Sequence, residues 1–186
     1  MSLHNLQQKL PDVSAWIERT LKSHAARARP VSSLGFARLA AHYPADLLAT
    51  AQVIPIARVP VPPLAAMGLA GFDEFENLDA AGITYLSCFF VRHGLERDES
   101  LHFHELVHVV QWRYLGLERF IMSYALGHLL SGGYMTNPFE VMAYGLQARF
   151  DQGEKPFDVA TIVLPELDQI VPALLKTAQQ RGLNAD

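Results

Sequence analysis

Apolar positions recur along this chain with two different periods, and the change from one to the other sets the predicted architecture. Within 11–28, Val13, Trp16, Ile17 and Leu21 fall three or four residues apart, opposite Glu18, Arg19 and Lys22. That spacing predicts an amphipathic helix, with Pro11 in the first turn, where its missing N–H has no intrahelical acceptor to lose. Ser32 or Ser33 can cap a shorter helix through Ala41, and Pro44 opens another turn or two over 45–51. Segment 53–63 is β-branched but carries Pro55, Pro60, Pro62 and Pro63, which predicts a short or edge strand. Gly68 and Gly71 mark a loop, and 73–81 is a polar connection.

The run ITYLSCFFV (83–91) is the strongest β signal and predicts one strand ending before His93-Gly94. A charged loop follows, and the pattern then turns helical. Helices are predicted over 99–115, capped by Asp98 and closed by Gly116, and over 118–130, ended by Ser131-Gly132-Gly133. A third starts at Asn137-Pro138 and runs to 150, and 157–181 is helical but broken near Pro165 and Pro172. Helices, then a few strands, then helices read as α+β, and 186 residues fit a single domain spanning 1–186.

Composition narrows the function classes. Half the residues are hydrophobic and 18% charged, which excludes a disordered chain. A net charge of −4 leaves no basic surplus for nucleic acid or an anionic membrane surface. Residues 1–10 are polar, unlike a signal peptide, and the apolar stretch 53–70 is broken by prolines and Arg58, so no membrane span and a cytoplasmic location are expected. The single cysteine, Cys88, excludes an internal disulfide and any multi-cysteine zinc site. Eight histidines remain, and their positions carry the chemistry.

His104-Glu105-Leu106-Val107-His108 is an HExxH motif on the predicted 99–115 helix. Four residues advance a helix by about 400° and about 6 Å, so both imidazoles face one side and can reach one Zn²⁺. Glu105 follows His104 by about 100°, which sets its carboxylate beside the metal as a base. Phe103, Leu106, Val107, Val109 and Val110 make the helix apolar nearly all round, hence buried. Buried His and Glu need partners, and a metal supplies one. Such a metal needs a third protein ligand. Gln111 and Tyr114 exclude the continuation His-x-x-Gly-x-x-His, and His102 lies about 200° from His104 around the helix. Two candidates stand. Glu140 opens the helix after Asn137-Pro138, where it could instead close a capping box with Asn137. His128 is the other, as ligand or as a packed neighbour.

HELVHVVQ, followed by GGY and NPFEVMAY, resembles the gluzincin branch of zincin metallopeptidases, in particular small bacterial single-domain members, over about 83–150. The resemblance implies a zincin-like fold around a metal-site core at 83–150, one Zn²⁺ per chain, and His104, His108 and Glu140 as its ligands. It also implies that strand 83–91 is an edge strand aligning a peptide substrate, through Tyr85, Ser87 and Phe89. Glu140 lies 32 residues beyond His108, a longer gap than in well-known gluzincins, and Tyr144 stands where they place an Asp supporting a ligand histidine.

The expected activity is peptide-bond hydrolysis with Glu105 as general base, and Tyr134, Tyr144 and His128 as candidate oxyanion donors or supports of the ligands. Peptide or protein substrates are the expected partners. The competing expectation is a degenerate zincin that keeps zinc and binds a partner without turnover.

Overall fold

The computed structural model describes residues 3–183. Helix α1 (Leu3–His24) begins eight residues before Pro11, because Leu3, Leu6 and Leu10 extend the stripe of Val13 and Ile17 at the same spacing. Pro11 therefore sits inside the helix. Both it and Gln7, the residue whose carbonyl loses a donor, are exposed, so water can replace the missing bond. A 3₁₀ turn, Ala25–Arg27, ends this segment.

The expected helix through Ala41 is replaced by strand β1 (Arg29–Pro30) and two 3₁₀ turns, Val31–Leu34 and Leu39–Ala41. Gly35 between them adopts φ 71°, and the Ser33 hydroxyl bonds back to the Pro30 carbonyl rather than capping a helix. Helix α2 (Ala45–Thr50) then leads into strand β2 (Gln52–Ile56), and the short helix α3 (Asp73–Glu76) interrupts the polar connection.

The expected single strand 83–91 is a hairpin. Strands β3 (Gly82–Tyr85) and β4 (Cys88–Arg92) pair antiparallel around a two-residue turn, in which Leu86 takes φ 59°. Such hairpins need a positive φ at the first central residue, usually from Gly. Here Leu86 accepts it, and no Gly, Asn or Pro betrays the turn. The sheet order is β1-β2-β4-β3, with β2 and β4 parallel. Three consequences follow. Strand β2 is internal, strand β4 is central and apolar on both faces, and the edge beside the helices is β3. Pro55 is tolerated in β2 because Gln52 N–H bonds toward β4 at Ser87, so odd positions face away, past the end of β1.

Helix α4 (Glu99–Ser131) packs on one face of the sheet, with Thr84 bonded to Glu105 and Phe89 against His102. Helix α1 covers the other face, where Trp16 meets Tyr85 and His24 meets Phe90. Asp98 caps α4 by accepting from Leu101 N–H. Gly116 bends the helix through φ 74°, ψ 173°, so the two expected helices meet at a kink. Helices α5 (Pro138–Asp151) and α6 (Val159–Gln180) pack against α4. Helix α6 runs unbroken through Pro165 and Pro172, both exposed, while Val163, Leu167, Val171 and Leu174 are buried. No helix among the described residues is long and apolar enough to cross a membrane.

Candidate metal centre

The helical period turns His104, His108 and Gln111 to one side of α4. On α5 it does the same for Glu140, Tyr144 and Gln147. The two faces meet. His104 Nε2 and His108 Nε2 lie 3.1 Å apart, and each is 3.4 Å from a carboxylate oxygen of Glu140. All three residues are buried, and their ligand atoms fall within 4.8 Å of one another.

The far sides of the rings decide what these atoms are. Gln111 Nε2 donates to the Phe139 carbonyl, so its Oε1 must face His108 Nδ1, 2.8 Å away. Ser100 Oγ donates to Asp151, so it accepts from Gln147 Nε2, and Gln147 Oε1 faces His104 Nδ1 at 3.0 Å. Each amide oxygen can only accept, so both Nδ1 atoms carry the proton. In neutral rings both Nε2 atoms are then bare lone pairs, pointed at each other and at a carboxylate. Glu140 Oε2 has no hydrogen-bond donor at all, while Oε1 accepts from Tyr124 OH at 2.6 Å.

Acceptors gathered in a buried space repel unless a cation joins them. Without a metal, a proton can meet that demand: burial pulls the His108 pKa down, yet the Glu140 charge and hydrogen bond, the Glu105 charge and the Gln111 contact outweigh it and raise the value to about 9, so the His108 ring takes up a proton beside Glu140. Two imidazole nitrogens and a carboxylate oxygen are a donor set that suits zinc and leaves a fourth position open. The residues present fit that ion.

Glu105 faces strand β3. Its Oε2 accepts from Thr84 Oγ1 at 2.6 Å, and its Oε1 packs so tightly on Gly82 that a Cβ there would collide with it. Burial raises the Glu105 pKa above the usual carboxylate value, against the pull of His104, His108 and the Thr84 hydrogen bond.

The structure redistributes the other candidates. Glu140 does not close a capping box: Asn137 alone caps α5, accepting from Phe139 N–H, and the Glu140 carboxylate turns to the histidines. His128 lies outside the group, with its ring 5.2 Å from Phe72 and a buried Nδ1 without a partner. Tyr144 packs its ring 4.5 Å from that of His104 and pairs with Tyr134, but the support of His104 is Gln147. Of the three strand residues expected beside a substrate, Tyr85 reaches the cavity, Ser87 is in the hairpin turn and Phe89 is fully buried in the central strand. The residue that touches Glu105 is Thr84. Thr84 is on the other face from Tyr85 and pairs across the hairpin with Phe89, a relation that a single strand over 83–91 does not contain. Gln111, Gln147, Tyr124 and Thr84 carried no sequence signal, except that Gln111 sits one helical turn past His108.

Beside the group lies a cavity of about 120 Å³. Glu105, His108 and Glu140 border it, as do β3 and α1. No protein-family model, curated protein or solved structure matches this chain.

Proposed function

We propose that the chain is a zinc-dependent hydrolase of peptide or related amide bonds with a zincin-like site, in which His104, His108 and Glu140 hold one Zn²⁺ and Glu105 is the general base. The observation that carries this reading is the geometry of the buried group: both Nε2 atoms, turned inward by the Nδ1 bonds to Gln147 and Gln111, converge on Glu140, whose Oε2 has no hydrogen-bond partner. When bound, the ion would lower the pKa of a water toward about 7 and polarise a carbonyl.

The chain's own residues supply the rest. Thr84 holds one Glu105 oxygen and Gly82 leaves room for the other, so the carboxylate keeps one orientation while it takes a proton and passes it to the leaving amine. A pKa raised by burial makes the carboxylate the stronger base for the first of these transfers. Tyr134 lines the cavity, burial keeps its phenol protonated, and its O–H would leave Tyr144 to donate to a developing oxyanion.

The test pairs zinc content with cleavage of a peptide library for the wild type, Glu105→Gln and Glu140→Ala. Zinc should stay near one equivalent in Glu105→Gln while cleavage disappears, and zinc affinity should fall at least tenfold in Glu140→Ala. The burial of the centre favours a second reading, a zinc-holding module without turnover: His104, Glu105, His108 and Glu140 are 4, 3, 6 and 2% exposed. Full zinc with no cleavage by the wild type would select that reading, and a wild type that binds no zinc would overturn both.

A further inference from the structure

The cavity beside the centre has an unusual lining. One face of α1 borders it through Leu6, Leu10, Val13 and Ile17, a span of about 16 Å along the helix axis. Across from α1, it is closed by the loop before α3, through Leu64, Leu69 and Phe72, and by Ile121, Met122 and Ala125 of the second arm of α4. The only charged or histidine side chains in that lining are Glu105, His108 and Glu140.

The polar side chains that do reach the cavity are already committed within the protein. Thr84 donates to Glu105, Tyr85 OH to the Pro60 carbonyl, Trp112 Nε1 to the Thr84 carbonyl and Tyr124 OH to Glu140. Tyr134 is bonded to Tyr144. A peptide laid along α1 would bring an N–H and a C=O about every 3.3 Å, each needing a partner where the α1 wall is apolar and the side-chain donors are already taken. A hydrocarbon chain needs none.

The outward backbone of β3 fits the same division. Arg92 N–H bonds to the Ala81 carbonyl, so odd positions face β4 and Gly82 and Thr84 face outward. With the Thr84 carbonyl taken by Trp112, the outward groups left for a ligand are those of Gly82 and the Thr84 N–H, all beside Glu105.

We infer that the substrate is an amide bearing a single alkyl chain, an N-acylated amine or peptide, with its acyl chain along α1 and its carbonyl at the His104–His108–Glu140 centre. This rests on the hydrolase reading above. The reaction balances as a hydrolysis: the water oxygen bonds to the acyl carbon, the C–N bond breaks, one water proton goes through Glu105 to the amine, and a fatty carboxylic acid leaves. Nothing is oxidised or reduced.

The experiment titrates the full chain, zinc-loaded and zinc-stripped, with N-acylglycines of four, eight and twelve acyl carbons. Affinity should rise with each buried methylene, by about fourfold where burial is complete, and the rise should survive zinc removal. Met122→Trp, which fills the cavity from α4, should weaken binding of the twelve-carbon ligand at least tenfold with zinc affinity unchanged. Leu10→Trp does the same from α1 and serves if Met122→Trp fails to fold. Affinity independent of chain length, unaltered binding in both folded variants, or tighter binding of an apolar hexapeptide than of the twelve-carbon ligand would overturn the inference. A chain-length dependence in protein that takes up no zinc would leave the cavity assignment standing and remove the hydrolase reading instead.

Discussion

Two glutamine side chains do at this site what carboxylates do at many zinc centres. Gln111 and Gln147 hold the Nδ1 protons of His108 and His104, and their own Nε2 donors are pinned to Phe139 O and Ser100 Oγ. A neutral acceptor orients the ring while adding no negative charge, so among the described residues the only carboxylate touching these imidazoles directly is Glu140. Removing such a support typically weakens metal binding 10- to 100-fold. Gln147→Ala and Gln111→Ala should each lower zinc affinity in that range in a competition titration with a chromophoric chelator, and an unchanged affinity for both would show that the rings are held by packing alone. Gly82 makes a second prediction. A Cβ there would meet Glu105 Oε1 and push the carboxylate off Thr84, so Gly82→Ala should cut turnover at least tenfold with zinc still bound. Among these residues the histidine pair and Glu105 were legible, because four residues of helix fix their relation. Gln147, 43 residues from His104, was not, because no local rule connects positions on separate helices.

At the scale of elements, legibility failed where a local signal was overruled by burial. The hairpin was invisible because β4 lies between β2 and β3 with Phe89, Phe90 and Val91 fully buried, so its residues read as one apolar run with the strand before it. The prolines of α1 and α6 suggested starts and breaks, yet all three sit on exposed faces, and the packing of the opposite stripe offsets their missing bonds. Gly116, by contrast, ends one helical run as expected, and the next follows directly across a kink. Its φ 74°, ψ 173° belongs to a region reserved for glycine, and a Cβ there would meet nothing within 4 Å. Gly116→Ala therefore isolates backbone strain and should lower stability by about 1–3 kcal/mol in urea unfolding, shifting the midpoint without changing the slope. A loss under about 0.5 kcal/mol would show that the bend tolerates side chains.

For the whole molecule, the centre is where α4, the longest helix, is joined to α5, and the cavity is where α1 meets α4 beyond the β3 edge. Under the proposed zinc site, removing the metal would be a global perturbation, because it would take the bridging ion from a buried His–His–Glu group between the two helices. Zinc at a hundredfold excess over its Kd should stabilise the fold by about 2.7 kcal/mol relative to chelator-treated protein. Cys88 offers the readout. Burial pushes its thiol up to about 12, so at pH 8 the native thiolate is scarce and labelling by a disulfide reagent reports opening of the sheet. Labelling should be slower with zinc than with chelator, and equal rates would separate the metal site from global stability.

The sequence by itself determined the α+β composition, the HExxH helix with its Asp98 cap, and the side on which two imidazoles and Glu105 stand, since each depends on contacts within a few residues. Only the tertiary structure decided between Glu140 and His128 at the histidine pair, because that choice is the meeting of two helix faces across 32 residues. It also decided that Thr84 rather than its strand neighbours holds Glu105, and that α1 walls the cavity. Strand phase and helix placement are fixed by what must be buried together, which a one-dimensional pattern does not contain.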